Sequence, residues 1–240
     1  GLIMVLEVTN LDVSNGSRKA VSDVSFRIEP GTVTAVLGAN GAGKSELVLA
    51  LAGMMPITGG QFLLDGMDLV GQGPEKIRKA GIAAVPEGHR VLTRLSVDDN
   101  LRAAGSLLDD GLEQTLADTY ALFPELSERK AQIAGTLSGG QQQMLALGHA
   151  MMCRPRFLLI DEMSLGLAPL VVKRLIGFVA DLKERGVGVL LIEQFTSLAL
   201  SVSEQALVLR NGKVRYSGAA SALRDDTALL DAAYFGAATA

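Results

Sequence analysis

A chain of 240 residues, 48% hydrophobic and 20% charged, can bury a substantial core as one large domain or a compact two-lobed one. Its net charge of −4 offers no basic footprint for nucleic acid, and its single cysteine, Cys153, excludes an internal disulfide framework and fits a reducing compartment. No apolar run approaches the ~20 residues of a membrane helix, and LIMVLEV is too short for a secretory leader, so a soluble chain is expected.

Alternating apolar residues predict strands over Ile3–Val8 and Val21–Ile28, and Pro30-Gly31 turns the chain into a third over Thr32–Leu37. The glycine-rich stretch at Gly38 opens a helix running to about Gly53. Gln61–Leu64 with Asp65-Gly66 reads as a hairpin, and Ile82–Val85 as a short buried strand. From about Glu87 to Met152 the pattern turns helical, with breaks at Gly105, Gly111, Pro124 and Gly135. Cys153 reads as a small buried apolar residue. Two very apolar runs, Phe157–Ile160 and Val187–Ile192, flank a helical pattern over Leu170–Arg185 closed by Gly186. Continuous apolar runs separated by helices predict a parallel sheet covered on both faces. Ala206–Leu209, Asn211-Gly212 and Val214–Tyr216 form a hairpin pattern with a tight turn.

Three motifs carry chemistry. Gly38-Ala39-Asn40-Gly41-Ala42-Gly43-Lys44-Ser45 matches the phosphate loop G-x-x-x-x-G-K-[ST] between a predicted strand and a predicted helix. Glycines let the backbone wrap a phosphate with inward N–H groups, and the helix N-terminus adds partial positive charge. Lys44 would reach the β- and γ-phosphates of a nucleotide, and Ser45 would hold Mg2+. Phe157–Ile160 runs into Asp161-Glu162, two acids just past a parallel strand and hence in the ligand crevice. Asp161 would bind Mg2+ through water, and Glu162 would orient the attacking water and take its proton. Leu137-Ser138-Gly139-Gly140-Gln141 is either a second phosphate nest opening a helix or simply a helix N-cap by Ser138.

These motifs, in this order, resemble the ATP-binding cassette (ABC) ATPases over essentially the whole chain, and are most similar to the smaller ATPase of branched-chain amino acid, amide and urea importers. Val85-Pro86-Glu87-Gly88, Leu95–Leu101, Leu137–Leu147, Ser164–Pro169 and Leu191-Ile192-Glu193-Gln194 carry that similarity. The resemblance implies an α/β fold of the P-loop ABC ATPase kind, with a mixed or parallel core sheet, an antiparallel β subdomain and a helical subdomain. It implies one cassette over 1–240, its core lobe 1–87 and 153–240, its helical lobe 88–152. It implies ATP with Mg2+, and a dimer in which Ser138, Gly139, Gly140 and Gln141 face the nucleotide of the opposite subunit. Glu87 would stand for the Q-loop glutamine, near Mg2+ and the γ-phosphate, and Gln194 for the switch histidine. Membrane permease subunits, a sister ATPase (homo- or heterodimeric) and, indirectly, a periplasmic solute-binding protein would be partners. The chain would then be cytoplasmic and peripheral on the inner face of the plasma membrane, powering uptake of branched-chain or other hydrophobic amino acids.

Three positions depart from the family pattern. An aromatic that stacks on adenine is usual where Asn15 stands, with Val13 and Arg18 nearby. Such stacking contributes about 1–3 kcal/mol, so weaker ATP affinity is expected, with the Arg18 guanidinium as an alternative plane or Asn15-Gly16 as a plain turn. Met163 replaces proline after the catalytic glutamate, with a modest effect expected. Glu46 stands where threonine or serine is usual. A carboxylate about 5 Å from a phosphate charge costs roughly 3 kcal/mol at an effective dielectric near 20. Turned to solvent, it would merely stabilise its helix N-terminus. These departures also fit an alternative, a regulatory module that dimerises on ATP with weak hydrolysis.

Overall fold

The computed structural model describes residues 4–88 and 91–236. β1 (Leu6–Asn15) turns at Gly16, whose φ is 63°, and returns as β2 (Arg18–Ile28). β3 (Val33–Leu37) is buried along its whole length and leads through the glycine-rich loop into α1 (Lys44–Leu51). β4 (Ile57–Leu64) pairs antiparallel with β1, and Asp65-Gly66, both left-handed, turn it into β5 (Met67–Asp68). These strands make a four-stranded antiparallel sheet in the order β2-β1-β4-β5. The sequence pattern predicts the first strand over Ile3–Val8. Ile3 lies outside the described residues, and the strand runs on to Asn15. The reason is a bulge: Asn10 takes φ 49° and the pairing of β1 with β2 and β4 shifts register beyond Val8. Strict alternation fails at that point. β4 likewise begins four residues before the predicted Gln61, because Gly59-Gly60 carry the strand past the bulge. A Cβ on Gly60 would come within 2.3 Å of the Asn10 carbonyl oxygen.

α2 (Pro74–Ala80) starts with proline in its first turn and ends at the left-handed Gly81, and β6 (Ile82–Val85) follows. The expected helical stretch from Glu87 is helical only from residue 97. His89 and Arg90 within it lie outside the described residues. Its helices are α3 (Val97–Ala104), α4 (Leu112–Leu122), α5 (Pro124–Ser127) and α6 (Gly139–Met151). The predicted breaks fall at ends or turns: Gly105 caps α3, left-handed Gly111 precedes α4, and Pro124 opens α5. Then come β7 (Phe157–Asp161), α7 (Pro169–Glu184), β8 (Gly188–Ile192) and α8 (Thr196–Val202). β9 (Gln205–Arg210) and β10 (Lys213–Ala219) form the expected hairpin across Asn211-Gly212, followed by α9 (Ala220–Asp225) and α10 (Thr227–Phe235).

The second sheet has six strands in the order β10-β9-β3-β8-β7-β6, parallel except for β10. Its faces are covered by different layers, and alternate residues of each central strand go to opposite ones. Leu158 and Ile160 of β7 and Val189 and Leu191 of β8 pack against the helices between β6 and β8. Phe157, Leu159, Leu190 and Ile192 pack with α1 and the antiparallel sheet. α7 buries Leu175, Phe178, Val179 and Leu182, the spacing of one helical face. Phe178 meets Phe123 at 4.7 Å, and Arg174 pairs with Glu125 of α5 at 3.1 Å while donating to the Leu122 carbonyl. α8, α9 and α10 add a third cluster around Ala35, Leu37 and Val208. Cys153 is half-buried instead of a core residue, and burial pushes its thiol up. Among the described residues no helix is long and apolar enough to cross a membrane.

Candidate functional site

Strand order explains what is brought together. β3, β8, β7 and β6 are consecutive parallel neighbours, and Val36, Ile192 and Asp161 stand in register. Their carboxyl ends therefore open on one edge, where open α/β sheets hold ligands. Gly38 follows β3, Gln194 follows β8, Asp161 ends β7 with Glu162 next to it, and Glu87 follows β6. A cleft of about 290 Å3 is lined there by Asn40, Gly41, Gly43, Lys44, Ser45, Glu46, Glu87, Glu162, Leu165 and Gln194.

The loop from Gly38 to Gly43 has the shape of a phosphate cradle. Gly38, Gly41 and Gly43 take φ of 148°, 82° and 106°. A Cβ on Gly38 would lie 2.4 Å from the Leu209 carbonyl oxygen, and one on Gly43 2.6 Å from that of Ala20, so only glycine fits there. Lys44 is buried, and its Nζ donates to the Gly38 carbonyl at 2.6 Å. Ala42 is buried behind the loop.

The carboxylates sit at different depths. Asp161 is 3% exposed, and its Oδ1 has no hydrogen-bond partner among the described residues. Burial pushes its pKa up to about 6. The Ser45 hydroxyl bonded to it and the Lys44 charge pull the other way, while Glu162 and Glu87 push it further up. A buried carboxylate with an unsatisfied oxygen, a hydroxyl on it and a second acid nearby is a donor set that could hold a hard divalent cation such as Mg2+. Glu162 is half-buried and adopts φ 50°, an uncommon conformation for a non-glycine residue. Its amide is tied to the Ile192 carbonyl at 2.9 Å. Glu46 lines the cleft, half-buried, so its carboxylate borders the space an anion would enter.

Four sequence candidates lie elsewhere. Ser138, Gly139, Gly140 and Gln141 are not among the residues lining this cleft. They open α6 with a reciprocal capping box, the Ser138 hydroxyl accepting from the Gln141 amide while the Gln141 side chain accepts from the Ser138 amide. Ser138 and Gly139 are exposed, and Gly140 is buried where a Cβ would meet Val171 at 2.8 Å. The N-cap reading of Ser138 holds, and the exposed turn leaves its outer amides open. Asn15 ends β1 at the turn, while Arg18 reaches across to donate to the Gly41 carbonyl at 3.3 Å.

Two residues near the site have no role assigned from the sequence. Glu193, fully buried beside Gln194, accepts a hydrogen bond from the Ser164 hydroxyl through Oε1, and its Oε2 has no partner among the described residues. Burial raises its pKa. The Ser164 hydroxyl and, at longer range, the Phe195 and Gln194 amides oppose this, and the Glu162 charge adds to it. Tyr234, on α10, accepts from the Gly38 amide at 3.2 Å. Glu193 sits in the Leu191–Gln194 stretch that carries the family resemblance, whereas Tyr234 carries no motif and reaches the phosphate loop only through the fold.

The profile of the ABC transporter family matches residues 21–164. The high-affinity branched-chain amino acid transport ATP-binding protein BraG of Pseudomonas aeruginosa is 41% identical over 218 residues, covering 90% of this chain and 94% of BraG. The probable branched-chain amino acid transport ATP-binding protein LivF of Archaeoglobus fulgidus is 32% identical, covering 91% and 94%. A solved structure of an ATP-binding subunit of an ABC transporter superposes with a TM-score of 0.82 at 28% identity, covering 94% of each chain. With the phosphate loop, the acid-ended strand and the Ser-Gly-Gly helix all present on this fold, the chain belongs to the ABC transporter family as one of its ATP-hydrolysing cassettes.

Proposed function

We propose that this cassette drives uptake of branched-chain or other hydrophobic amino acids, with the cleft at the ends of β3, β8, β7 and β6 as its Mg2+-dependent ATP site. The observation that carries the site assignment is the meeting of Lys44, Ser45, Glu162 and Gln194 in one cleft above the buried Asp161. The amides of residues 40–46 and the Lys44 ammonium receive the β- and γ-phosphates. Ser45 and Asp161, with Glu87 beside them, would hold Mg2+, which when bound would neutralise charge building up on the phosphates. Glu162 orients the attacking water and takes its proton, and Gln194 hydrogen-bonds the γ-phosphate or that water. Ser138, Gly139, Gly140 and Gln141 close the site from the opposite subunit, a sister ATPase or a second copy, which explains their absence from the cleft of one chain.

Closure of the dimer acts on permease subunits, which places the cassette at the inner face of the membrane, in the cytoplasm, with a periplasmic solute-binding protein as an indirect partner and no role for nucleic acid. A cavity of about 460 Å3 between α2, β6, α3 and α6, lined among others by Met54, Arg78, Ala103, Leu107 and His149, supports docking of a short permease helix there, between a core lobe (1–87 and 153–240) and a helical lobe (88–152). Phosphate release from Mg2+-ATP tests the site. Lys44→Ala and Glu162→Gln are each expected to lower turnover by roughly 100-fold or more; hydrolysis indifferent to both would remove this site. Leucine-stimulated hydrolysis by the cassette reconstituted with its permease and binding protein tests the solute class.

A further inference from the structure

α10 lies on the outer side of β3 and β9, away from the residues that line the cleft, yet its Tyr234 reaches two of the loops that do. The phenol oxygen accepts from the Gly38 amide at 3.2 Å. It also shares a hydrogen bond with the Thr196 hydroxyl at 3.0 Å. A phenol has one proton to donate. With its oxygen accepting from Gly38, its O–H is free for Thr196, which completes a chain from Gly38 through Tyr234 to Thr196. Both ends matter to the cleft. Gly38 offers its N–H to Tyr234 and its carbonyl to the Lys44 ammonium. Thr196 is the first residue of α8, two residues beyond Gln194. β3 and β8 are hydrogen-bonded neighbours up to Val36 and Ile192, where their pairing ends. Tyr234 is held for this task by its helix. Asp226 caps α10 by accepting from the Leu229 amide at 3.1 Å, and Ala233 and Leu230 pack into the cluster around Leu37 and Val208.

We propose that Tyr234 is a positioning residue for ATP hydrolysis, its hydroxyl fixing the spacing between Gly38, whose carbonyl holds the Lys44 ammonium, and the segment that carries Gln194. The proposal rests on the site assignment above. Tyr234 does not line the cleft; it sets where two nucleotide-facing groups stand, so its loss acts on turnover more than on binding.

Steady-state ATP hydrolysis by the full-length chain decides it. Tyr234→Phe keeps the ring and its packing and removes only the hydroxyl. It is expected to lower kcat about five- to tenfold with KM for ATP within about twofold. Thr196→Val is expected to give a similar loss, and the double variant no more than either single, because both cut one chain of hydrogen bonds. Tyr216→Phe, which removes a hydroxyl bonded to the Ala219 carbonyl in the same cluster, is expected to leave kcat unchanged. Full activity in Tyr234→Phe, effects that multiply in the double variant, or an equal loss in Tyr216→Phe would overturn the proposal. Lys44→Ala separates the two levels. Undiminished hydrolysis there overturns the site assignment and the Tyr234 proposal with it. Loss there beside full activity in Tyr234→Phe overturns the Tyr234 proposal alone.

Discussion

Asp161 is held in a surrounding that opposes its ionisation. Its folded pKa of about 6 lies above the usual ~3.9 of an unfolded aspartate. The folded chain therefore keeps this proton better than the unfolded one. Stability from this group is present below pH 4 and is lost as pH rises through about 6, and Glu193, shifted in the same direction, adds to the loss. Asp161→Asn removes the buried charge. Without Mg2+ at pH 7.5 it is expected to raise Tm by roughly 2–6 °C, with the gain fading toward pH 4, while abolishing Mg2+-dependent hydrolysis. A melting series across pH checks this, and a lower Tm for the variant at pH 7.5 would refute it. Glu46 is the second residue to test. It lines the cleft half-buried, between full exposure and a dry contact. Glu46→Thr is expected to tighten ATP about three- to tenfold at low salt, the gain shrinking in ~0.5 M salt. A nucleotide titration at two salt concentrations reads both. Met163, after Glu162, is 1% exposed and belongs to the same core cluster as Ile160 and Leu191, so burial holds the turn in place of a fixed φ. The site was legible in the sequence as far as local spacing reaches. Lys44, Ser45, Asp161 and Glu162 sit at fixed offsets from strand ends. Glu193 directly follows β8, but its part shows only in its burial, and Tyr234 acts through a contact spanning 196 positions, which no short window contains.

Among the elements, those with strong periodicity or continuous apolar runs were the legible ones. β3, β6, β7, β8 and α7 stand within a residue or two of their predicted bounds, because each buries a contiguous face. α2, α8, α9 and α10 were not predicted. Each has nine residues or fewer, and the last three bury few side chains, chiefly alanine and leucine against β3 and β9; packing decides them more than propensity. α3 illustrates how an element serves two ends. Its buried Asn100 accepts from the Leu92 amide and donates to the carbonyls of Leu92, Leu95 and Ser96, fixing the segment that precedes the helix. His149 of α6 also meets Asn100, at 3.0 Å. The opposite end of α3 offers Ala103 to the cavity between α2 and α6. Ala103→Glu, on an exposed surface, is expected to leave basal hydrolysis within twofold and to abolish stimulation by reconstituted permease. Stimulation equal to that of the parent would exclude this cavity as the docking groove.

At the scale of the whole molecule, the two sheets divide the work. The antiparallel sheet and α1 cover one face of the six-stranded sheet, the helices between β6 and β8 cover the other, and the cleft opens only where four parallel strands end together. The phosphate loop is thus fixed from three sides: by β3 below it, by Ala20 of β2 against Gly43, and by Tyr234 above Gly38. The last of these has a consequence for synthesis. The loop leaves the ribosome early, but the phenol that holds its first amide follows almost two hundred residues later. A nascent chain with every motif already outside the exit tunnel still lacks the clasp that sets Lys44 against Gln194. Translation thereby orders two events: every residue of the nucleotide pocket is made before the phenol that tunes it for turnover.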